Sequence, residues 1–257
     1  MVSVLNMKGN KTRKKIELPP VFETEYRPDV IRRAVLSEQT KQKQPQGRYP
    51  LAGRIVAASS LGPGRAMAKI PRTHGSGTPS AGRGAFVHST VGGKLLFPPT
   101  PEKIIVEKIN KKEHRLALKS AIAATKERAY VEQRGHKINE KVQFPLIIEE
   151  KFTELSKTAE VKAVLENLGL GPDLERCQVK KIRAGKGKRR GRKYRRKVGP
   201  LIVVTQECPL SKAAKNIPGV EVIELRHMRV EKLAPGGDPA RLTVWTEEAI
   251  KKLEEME

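Results

Sequence analysis

The sequence of 257 residues predicts an α/β fold with a mainly parallel central sheet flanked by helices. Two observations predict this fold: short β-branched runs typical of buried strands, and amphipathic helical stretches that alternate with them. A third observation predicts an extended internal loop: a long stretch rich in Gly and Pro in which apolar residues repeat with neither the helical period of about 3.6 residues nor the strand period of about two. We therefore expect a single globular domain over residues 1–257, with the loop inserted at residues 45–98.

Strands are predicted where apolar residues alternate or run together between turn signals. The strongest signal is the run LIVV at residues 201–204, because a continuous β-branched run is typical of a strand buried on both faces. The other predicted strands are residues 2–5, 16–18, 146–148, 220–225 and 242–245.

Helices are predicted from apolar residues spaced three and four positions apart. The first helix begins with Pro28 in its first turn and ends before Pro45. Asn110 and Glu113 resemble a capping box that opens a long helix through about Val131. Further helices are predicted from Thr158 to Gly169, over residues 173–182, near residues 212–215, and from Glu247 with Thr246 as its cap.

The net charge of +24 is concentrated in two segments that contain no acidic residue. Residues 39–101 contain nine Lys or Arg, together with ten of the 21 Gly and eight of the 18 Pro. Residues 180–197 contain twelve Lys or Arg. Such tracts repel themselves, and they gain free energy when a polyphosphate neutralises them and counterions are released. Nucleic acid is therefore the predicted partner.

Both segments have features that suit RNA. In the loop, Gly permits close backbone approach, and interleaved Arg can pair with phosphates or stack on bases, although a disordered linker is the alternative. Residues 180–199 are predicted to form a basic RNA-binding extension, in which Arg outnumbers Lys from Arg189 onward and Tyr194 could stack on a base. The predicted RNA-binding residues are Arg48, Arg54, Arg65, Lys69, Arg72, Arg83, Lys94, Lys180, Lys181, Arg183, Lys186, Lys188, Arg189, Arg190, Arg192, Lys193, Arg195 and Arg196.

A membrane is a competing polyanion, but the sequence does not predict it as the partner. Neither basic segment has the amphipathic stripe of an interfacial helix, and no apolar run approaches the length of a membrane span. The order of charges at the N-terminus is wrong for a signal peptide, so a cytosolic protein is expected. Cys177 and Cys208 stand apart from any ligand cluster and are expected to be packing residues of a reduced protein.

No catalytic constellation is predicted. The five His are dispersed, and HExxH, GxSxG and Cys/His pairings are absent. Gly62 and Gly64 resemble the start of a dinucleotide fingerprint, but Met67 stands in place of the third Gly, and residues 183–192 lack the Walker spacing. We therefore predict no enzyme, no metal, no cofactor and no small-molecule substrate. A nuclease with scattered Asp and Glu ligands stays open as an alternative.

Several runs together resemble the large-subunit ribosomal protein L-four family in its archaeal and eukaryotic form. They are GPGRAMAKIPR at 62–72, GRGAF at 82–86, the Gly pair at 92–93 before FP at 97–98, RGH at 134–136, RAGKGK at 183–188, KLAPGG at 232–237 and VWT at 244–246. The resemblance covers nearly the whole chain in the same order. Because the chain stops at Glu257, without the long extension of eukaryotic members, the archaeal form is expected.

The resemblance implies a structural protein of the cytoplasmic ribosome, bound to 23S-type ribosomal RNA beside other large-subunit proteins. It implies binding early in assembly, with the α/β domain on the outer face of the subunit and the loop lining the narrow part of the nascent-peptide exit tunnel. The flanking cations of the loop would hold its two arms against RNA. Carried onto this sequence, the loop tip that meets the nascent polypeptide is Ile70, Pro71, Arg72, Thr73, His74 and Gly75.

Two other functions stay open from the residues alone. One is a basic RNA-processing enzyme of α/β fold, which a metal-dependent cleavage activity would favour. The other is a free-standing RNA chaperone, which would not co-sediment stoichiometrically with large subunits in high salt.

Overall fold

The computed structural model describes residues 1–140 and 142–255. It divides into two compact units, one formed by residues 1–41 and 107–257 and the other by residues 42–106. We call the first the sheet unit and the second the loop unit. All eight α-helices of the described residues belong to the sheet unit, whereas regular structure in the loop unit is limited to two short strands.

The elements alternate along the chain much as the sequence predicts. The strands are β1 (Val2–Leu5), β2 (Lys11–Ile16), β3 (Ala58–Ser59), β4 (Arg72–Thr73), β5 (Leu146–Ile148), β6 (Lys181–Ile182), β7 (Tyr194–Arg195), β8 (Leu201–Val204), β9 (Glu221–Glu224) and β10 (Thr243–Thr246). The helices are α1 (Pro28–Lys41), α2 (Lys111–Ala124), α3 (Arg128–Gln133), α4 (Thr158–Leu165), α5 (Gly171–Gln178), α6 (Pro209–Ala214), α7 (Val230–Leu233) and α8 (Glu247–Glu255).

Six strands form the central sheet of the sheet unit, in the order β2-β1-β5-β10-β8-β9. The neighbours from β1 through β9 run parallel, and β2 pairs antiparallel with β1 at the edge. Parallel neighbours need long crossover connections, and these carry the helices to both faces of the sheet. The predicted mainly parallel sheet flanked by helices is therefore confirmed.

The central strands of the sheet are buried on both faces because their alternate residues enter different cores. In β5, Ile147 belongs to a core shared with α1, α2, α7 and α8, whereas Leu146 and Ile148 belong to a second core shared with α3 to α6. Trp245 of β10 is fully buried in the first core and packs edge-to-face on Phe22, with 5.6 Å between ring centroids. This two-sided burial explains the continuous apolar runs of the central strands.

The second strand differs from the prediction. It covers Lys11–Ile16 instead of residues 16–18, and its charged side chains are exposed. Because β2 is an edge strand, its Lys and Arg side chains remain in water and discourage pairing with other chains. Such a strand has no hydrophobic alternation, so the apolar pattern reached only its last residue.

The single helix predicted over residues 110–131 is in fact two helices, α2 and α3. The interruption falls at residues 125–127, where the Thr125 hydroxyl donates to the carbonyl of Ile122 at 2.7 Å. A Thr side chain bonded to the backbone competes with the regular helical bonds. The apolar spacing continues across this point, and for that reason it does not reveal the break.

Two predicted helix caps do not form. Asn110 makes no side-chain cap bond at the start of α2, and Glu113 pairs instead with Arg33 of α1 at 2.5 Å. The hydroxyl of Thr246, which was predicted to cap α8, is buried without a partner among the described residues. In the first case a tertiary ion pair outweighs the local capping bond.

A buried network joins the turn after α3 to α5 and to the residue before β10. The Nδ1 of His136 donates to the Asp173 carboxylate at 3.1 Å, and its Nε2 accepts the N–H of Leu242 at 3.3 Å, so the ring is neutral. Arg176 also donates to Asp173, at 2.8 Å. Burial lowers the pKa of His136. Burial alone would raise the pKa of Asp173, but hydrogen bonds from His136 and Arg176 lower it.

We expect His136 to make the stability of the protein depend on pH. A folded-state pKa below the unfolded value of about 6.5 means that unfolding takes up a proton. The stabilisation is therefore complete above about pH 6.5 and is lost as the pH falls through the lowered pKa. His136→Gln keeps a donor and an acceptor but does not titrate.

The measurement is the free energy of unfolding in urea at about pH 7.5 and about pH 5.5. The wild-type protein should lose more stability on acidification than His136→Gln loses. Equal losses in the two proteins would show that His136 is not held neutral in the fold.

Candidate nucleic-acid interface

The second basic tract is a β-hairpin that follows α5. β6 pairs antiparallel with β7, and the connection between them contains a 3-10 turn at Lys186–Lys188. The N–H of Arg183 donates to the carbonyl of Lys193 at 2.8 Å and continues the ladder by one bond. We call residues 180–197 the basic hairpin. Tertiary pairing thus gives part of the predicted RNA-binding extension a defined geometry.

The helix predicted over residues 173–182 was too long at its C-terminal end. α5 ends at Gln178, and Lys181–Ile182 is a strand. A helix continued to residue 183 would place Arg176, Lys180 and Arg183 on one face, where like charges at these spacings repel. The hairpin spreads the same charges apart.

The cations of the basic hairpin face solvent. Arg183 is half-buried, and the other eleven Lys and Arg are exposed. Among the described residues, no carboxylate forms an ion pair with any of the twelve. Some other surface cations of the sheet unit do form ion pairs, as Arg128 does with Glu132 at 2.6 Å and Lys251 with Glu247 at 2.9 Å. The hairpin is therefore a cationic surface without internal compensation.

Tyr194 lies on the exposed surface of the basic hairpin, beside its cross-strand neighbour Ile182. The ammonium groups of Lys180 and Lys193 lie 5.8 and 5.5 Å from the centroid of the Tyr194 ring. An aromatic ring flanked by cations is the combination that stacks on a nucleic-acid base while holding its backbone. The geometry is therefore compatible with the predicted stacking role.

In the loop unit, three segments lie side by side. β3 and β4 pair antiparallel, and Arg72 of β4 also forms a bridge with Gly84 on its other side. The N–H of Thr73 donates to the carbonyl of Arg83 at 3.0 Å. A Cβ on Gly84 would lie 2.6 Å from the Cδ1 of Ile70, so any larger residue would require the Ile70 side chain to move. Packing therefore limits the side chain at position 84, whereas a Cβ on Gly62, Gly64, Gly75 or Gly77 would meet no atom within 4 Å.

The predicted RNA-binding cations of the loop unit fall into two groups. Arg72 and Lys94 are half-buried: Arg72 Nη1 donates to the carbonyl of Gly82 at 2.9 Å, and Lys94 Nζ lies 5.6 Å from the centroid of Phe86. The Nε of Arg72 is buried without a partner among the described residues. The exposed group is Arg48, Arg54, Arg65, Lys69 and Arg83.

The residues predicted to form the loop tip have two different environments. Ile70, Pro71, Arg72 and Thr73 are half-buried, in and before β4, whereas His74 and Gly75 are exposed. On either side of the half-buried stretch, the runs 63–69 and 74–80 are exposed throughout. The exposed parts of this region are therefore the two flanking runs.

Sequence reasoning missed a cavity of about 570 Å³ in the sheet unit, at the base of the basic hairpin. The Nη2 of Arg134 donates to the carbonyl of Pro235 at 2.8 Å and so brings the RGH run at 134–136 against the KLAPGG run at 232–237. Both runs contribute to the family resemblance, which was the only signal for them. The cations that line the cavity are Arg134, Arg176, Lys181, Arg195, Arg196 and Lys197.

The described residues offer binding surfaces and little that could react. They contain no group of three or more His, Cys, Asp or Glu that could hold a metal ion. In the same residues, no helix is both long enough and apolar enough to cross a membrane. Cys177 is buried against Gly199 and Gly219, and burial raises the pKa of its thiol. A buried thiol with a raised pKa is inert.

Comparison with known proteins identifies the family. The sequence model of the ribosomal protein L4/L1 family matches residues 16–256. The chain is 46% identical over 253 residues to large ribosomal subunit protein uL4 of Methanosphaera stadtmanae, covering 98% of this chain and 95% of the relative. The same protein of Methanocaldococcus jannaschii is 47% identical over 253 residues, with 98% and 97% covered. That of Saccharolobus islandicus is 43% identical over 254 residues, with 98% and 93% covered.

These relatives are named as proteins of the large ribosomal subunit, and all three come from archaea. A family model that matches most of the chain, together with relatives aligned over nearly its full length, excludes a chance similarity of one segment. Family membership makes the protein a structural constituent of the cytoplasmic ribosome and not an enzyme. The chain belongs to the ribosomal protein L4/L1 family, in its archaeal large-subunit form.

Proposed function

We propose that this chain binds 23S-type ribosomal RNA through the basic hairpin and the loop unit, and that this binding contributes to assembly of the large subunit. The supporting observation is that the 21 Lys and Arg of residues 39–101 and 180–197 make no ion pair among the described residues. Phosphates can supply the missing anions, and release of their counterions favours binding.

The same observation supports coupled folding. The strands of the basic hairpin and of the loop unit contain two residues each, too few for a two-stranded hairpin to be stable alone in water. Repulsion among uncompensated cations lowers their stability further. RNA phosphates between the cations would remove this repulsion and order both segments, with the sheet unit as the anchor.

We further propose that the loop unit lines part of the nascent-peptide exit tunnel and contacts the nascent polypeptide there. The exposed run HGSGTPS at residues 74–80 begins with the predicted tip residues His74 and Gly75. Its small, mostly neutral side chains suit a wall that must not retain a passing chain. Exposed Val91, Phe97 and Ile104 of the same unit suit contacts with neighbouring large-subunit proteins or RNA.

Sedimentation tests the proposed function most directly. A tagged copy of the chain should co-sediment stoichiometrically with large subunits and remain bound after a high-salt wash, because an integral component is held by many contacts together. A free-standing RNA chaperone would dissociate into the light fractions, and that result would contradict the proposal.

Deletion of residues 62–84 should impair incorporation into large subunits without lowering the stability of the free protein. We expect the thermal unfolding midpoint of the free protein to remain almost unchanged, because the cores of the sheet unit contain none of these residues. Incorporation of the variant into large subunits, measured on sucrose gradients against the intact chain, should be impaired. A cooperative loss of the fold on deletion would contradict the role of the sheet unit as an independent anchor.

Replacing Arg189, Arg190 and Arg192 with Ala should weaken RNA binding and reduce its salt dependence. Each lost phosphate contact should lower the slope of log affinity against log salt by about 0.7 to 0.9. The readout is filter binding to protein-free 23S-type ribosomal RNA over a range of KCl concentrations.

A matched control removes three cations that are paired with Glu on the sheet unit, by Lys157→Ala, Lys162→Ala and Lys251→Ala. The change in net charge is the same, so a general charge effect would alter both slopes equally. If the slope is unchanged in the Arg variant, the RNA-binding surface lies elsewhere.

A further inference from the structure

The cavity at the base of the basic hairpin differs from the rest of the basic surface because it is concave. Its one lining carboxylate, Asp238, is 74% exposed and lies 4.0 Å from Arg32, whereas six cations face the same space. Val179 and Val198 add apolar wall. A volume of about 570 Å³ falls in the range of pockets that enclose small organic ligands. A phosphate ion alone would leave most of it unfilled.

Arg134 is desolvated in this cavity, and the negative charge of Asp238 only partly offsets the effect of burial. Its guanidinium donates to the carbonyls of Pro235 and Pro239, at 2.8 and 3.5 Å, and no described carboxylate forms an ion pair with it. Burial lowers the pKa of Arg134 to about 10, so the group stays charged at neutral pH. A cation held only by neutral carbonyls is stabilised when an anion enters the site.

The floor of the cavity is fixed before any ligand arrives. Arg176 is held between the Asp173 carboxylate, at 2.8 Å, and the carbonyl of Val198, at 2.7 Å. Asp173 is itself fully buried and accepts the bond from His136. The Nη1 of Arg176 donates to no described residue. This donor is therefore pre-organised, which reduces the entropy lost on binding.

We propose that the cavity binds one unstacked nucleotide of the RNA, with its phosphate among the cations and its base against Val179 and Val198. The inference rests on the proposed function, because the RNA supplies the nucleotide. Sequence-specific recognition of RNA relies mostly on bases that leave the stack and lie against side chains. The remaining cations of the hairpin would hold the backbone on either side of this nucleotide.

The test fills the cavity without changing its charge. Val198→Trp and Val179→Trp each place an indole in the cavity, and the parent side chains are 38% and 54% exposed, so neither substitution enters the core. Leu116→Trp is the matched control, because it adds the same indole at a 40% exposed position of α2 that does not line the cavity. Each protein is bound to protein-free 23S-type ribosomal RNA, and 2′-hydroxyl acylation is measured along the whole molecule.

We expect the wild-type protein and Leu116→Trp to protect the same nucleotides. Each Trp variant should lose protection at one or two adjacent nucleotides and keep the rest of the footprint. Affinity should fall roughly tenfold, because the contacts of a single nucleotide are lost while the other contacts remain. The salt slope should not change, because no cation is removed.

Three results would overturn the inference. In the first, both folded Trp variants give the wild-type footprint; in the second, they lose protection uniformly along the RNA. In the third, nucleoside monophosphates bind the free protein in calorimetry, but the Trp substitutions that fill the cavity leave the RNA footprint unchanged. That result would assign the cavity to a free ligand. In all three cases the wild-type protein itself still protects the RNA. If the wild-type protein gave no footprint, that result would instead contradict the proposed function itself.

Discussion

Uncompensated positive charge, kept apart from the folded cores, is the constraint on which the rest of this protein depends. The cations of residues 39–101 and 180–197 have no carboxylate beside them in sequence, and their repulsion opposes any compact packing of those segments. The two cores beside the central sheet instead consist of apolar side chains, and the buried Arg241 next to them is paired with Glu221 at 2.9 Å. Stability and RNA affinity therefore depend on different parts of the chain.

The central sheet could be predicted because burial on both faces leaves continuous β-branched runs in β5 and β8. β2 could not, because an exposed edge strand of Lys and Arg has no hydrophobic period. The break at Thr125 and the missing cap at Asn110 depend on side-chain bonds. Glu113 has its partner Arg33 on another helix, and local sequence does not specify that contact. Periodicity thus predicts buried elements better than their ends.

The candidate site could be predicted as composition and only partly as geometry. The absence of acid around the basic segments is visible in the sequence, so the cations could be predicted as a group. Their arrangement was not, because the pairing of β6 with β7 and the contact of Arg134 with Pro235 join positions far apart in the chain. The RGH and KLAPGG runs have no local chemistry that suggests a cavity. The cavity forms only where the two runs come together in the fold.

The two kinds of basic surface have different roles in recognition. In the proposed function, the short strands of the basic hairpin and loop unit gain order from RNA, so part of the binding free energy offsets the entropy of ordering them. The bonds among His136, Asp173 and Arg176 fix the cavity floor before binding, so less conformational entropy is lost when a ligand binds there. Contacts to phosphate are insensitive to sequence, whereas a cavity of limited size accepts only some nucleotides. In the proposed function, affinity therefore resides mainly in the cations of the hairpin and loop unit, and discrimination in a cavity whose floor is fixed and whose hairpin wall is ordered by RNA.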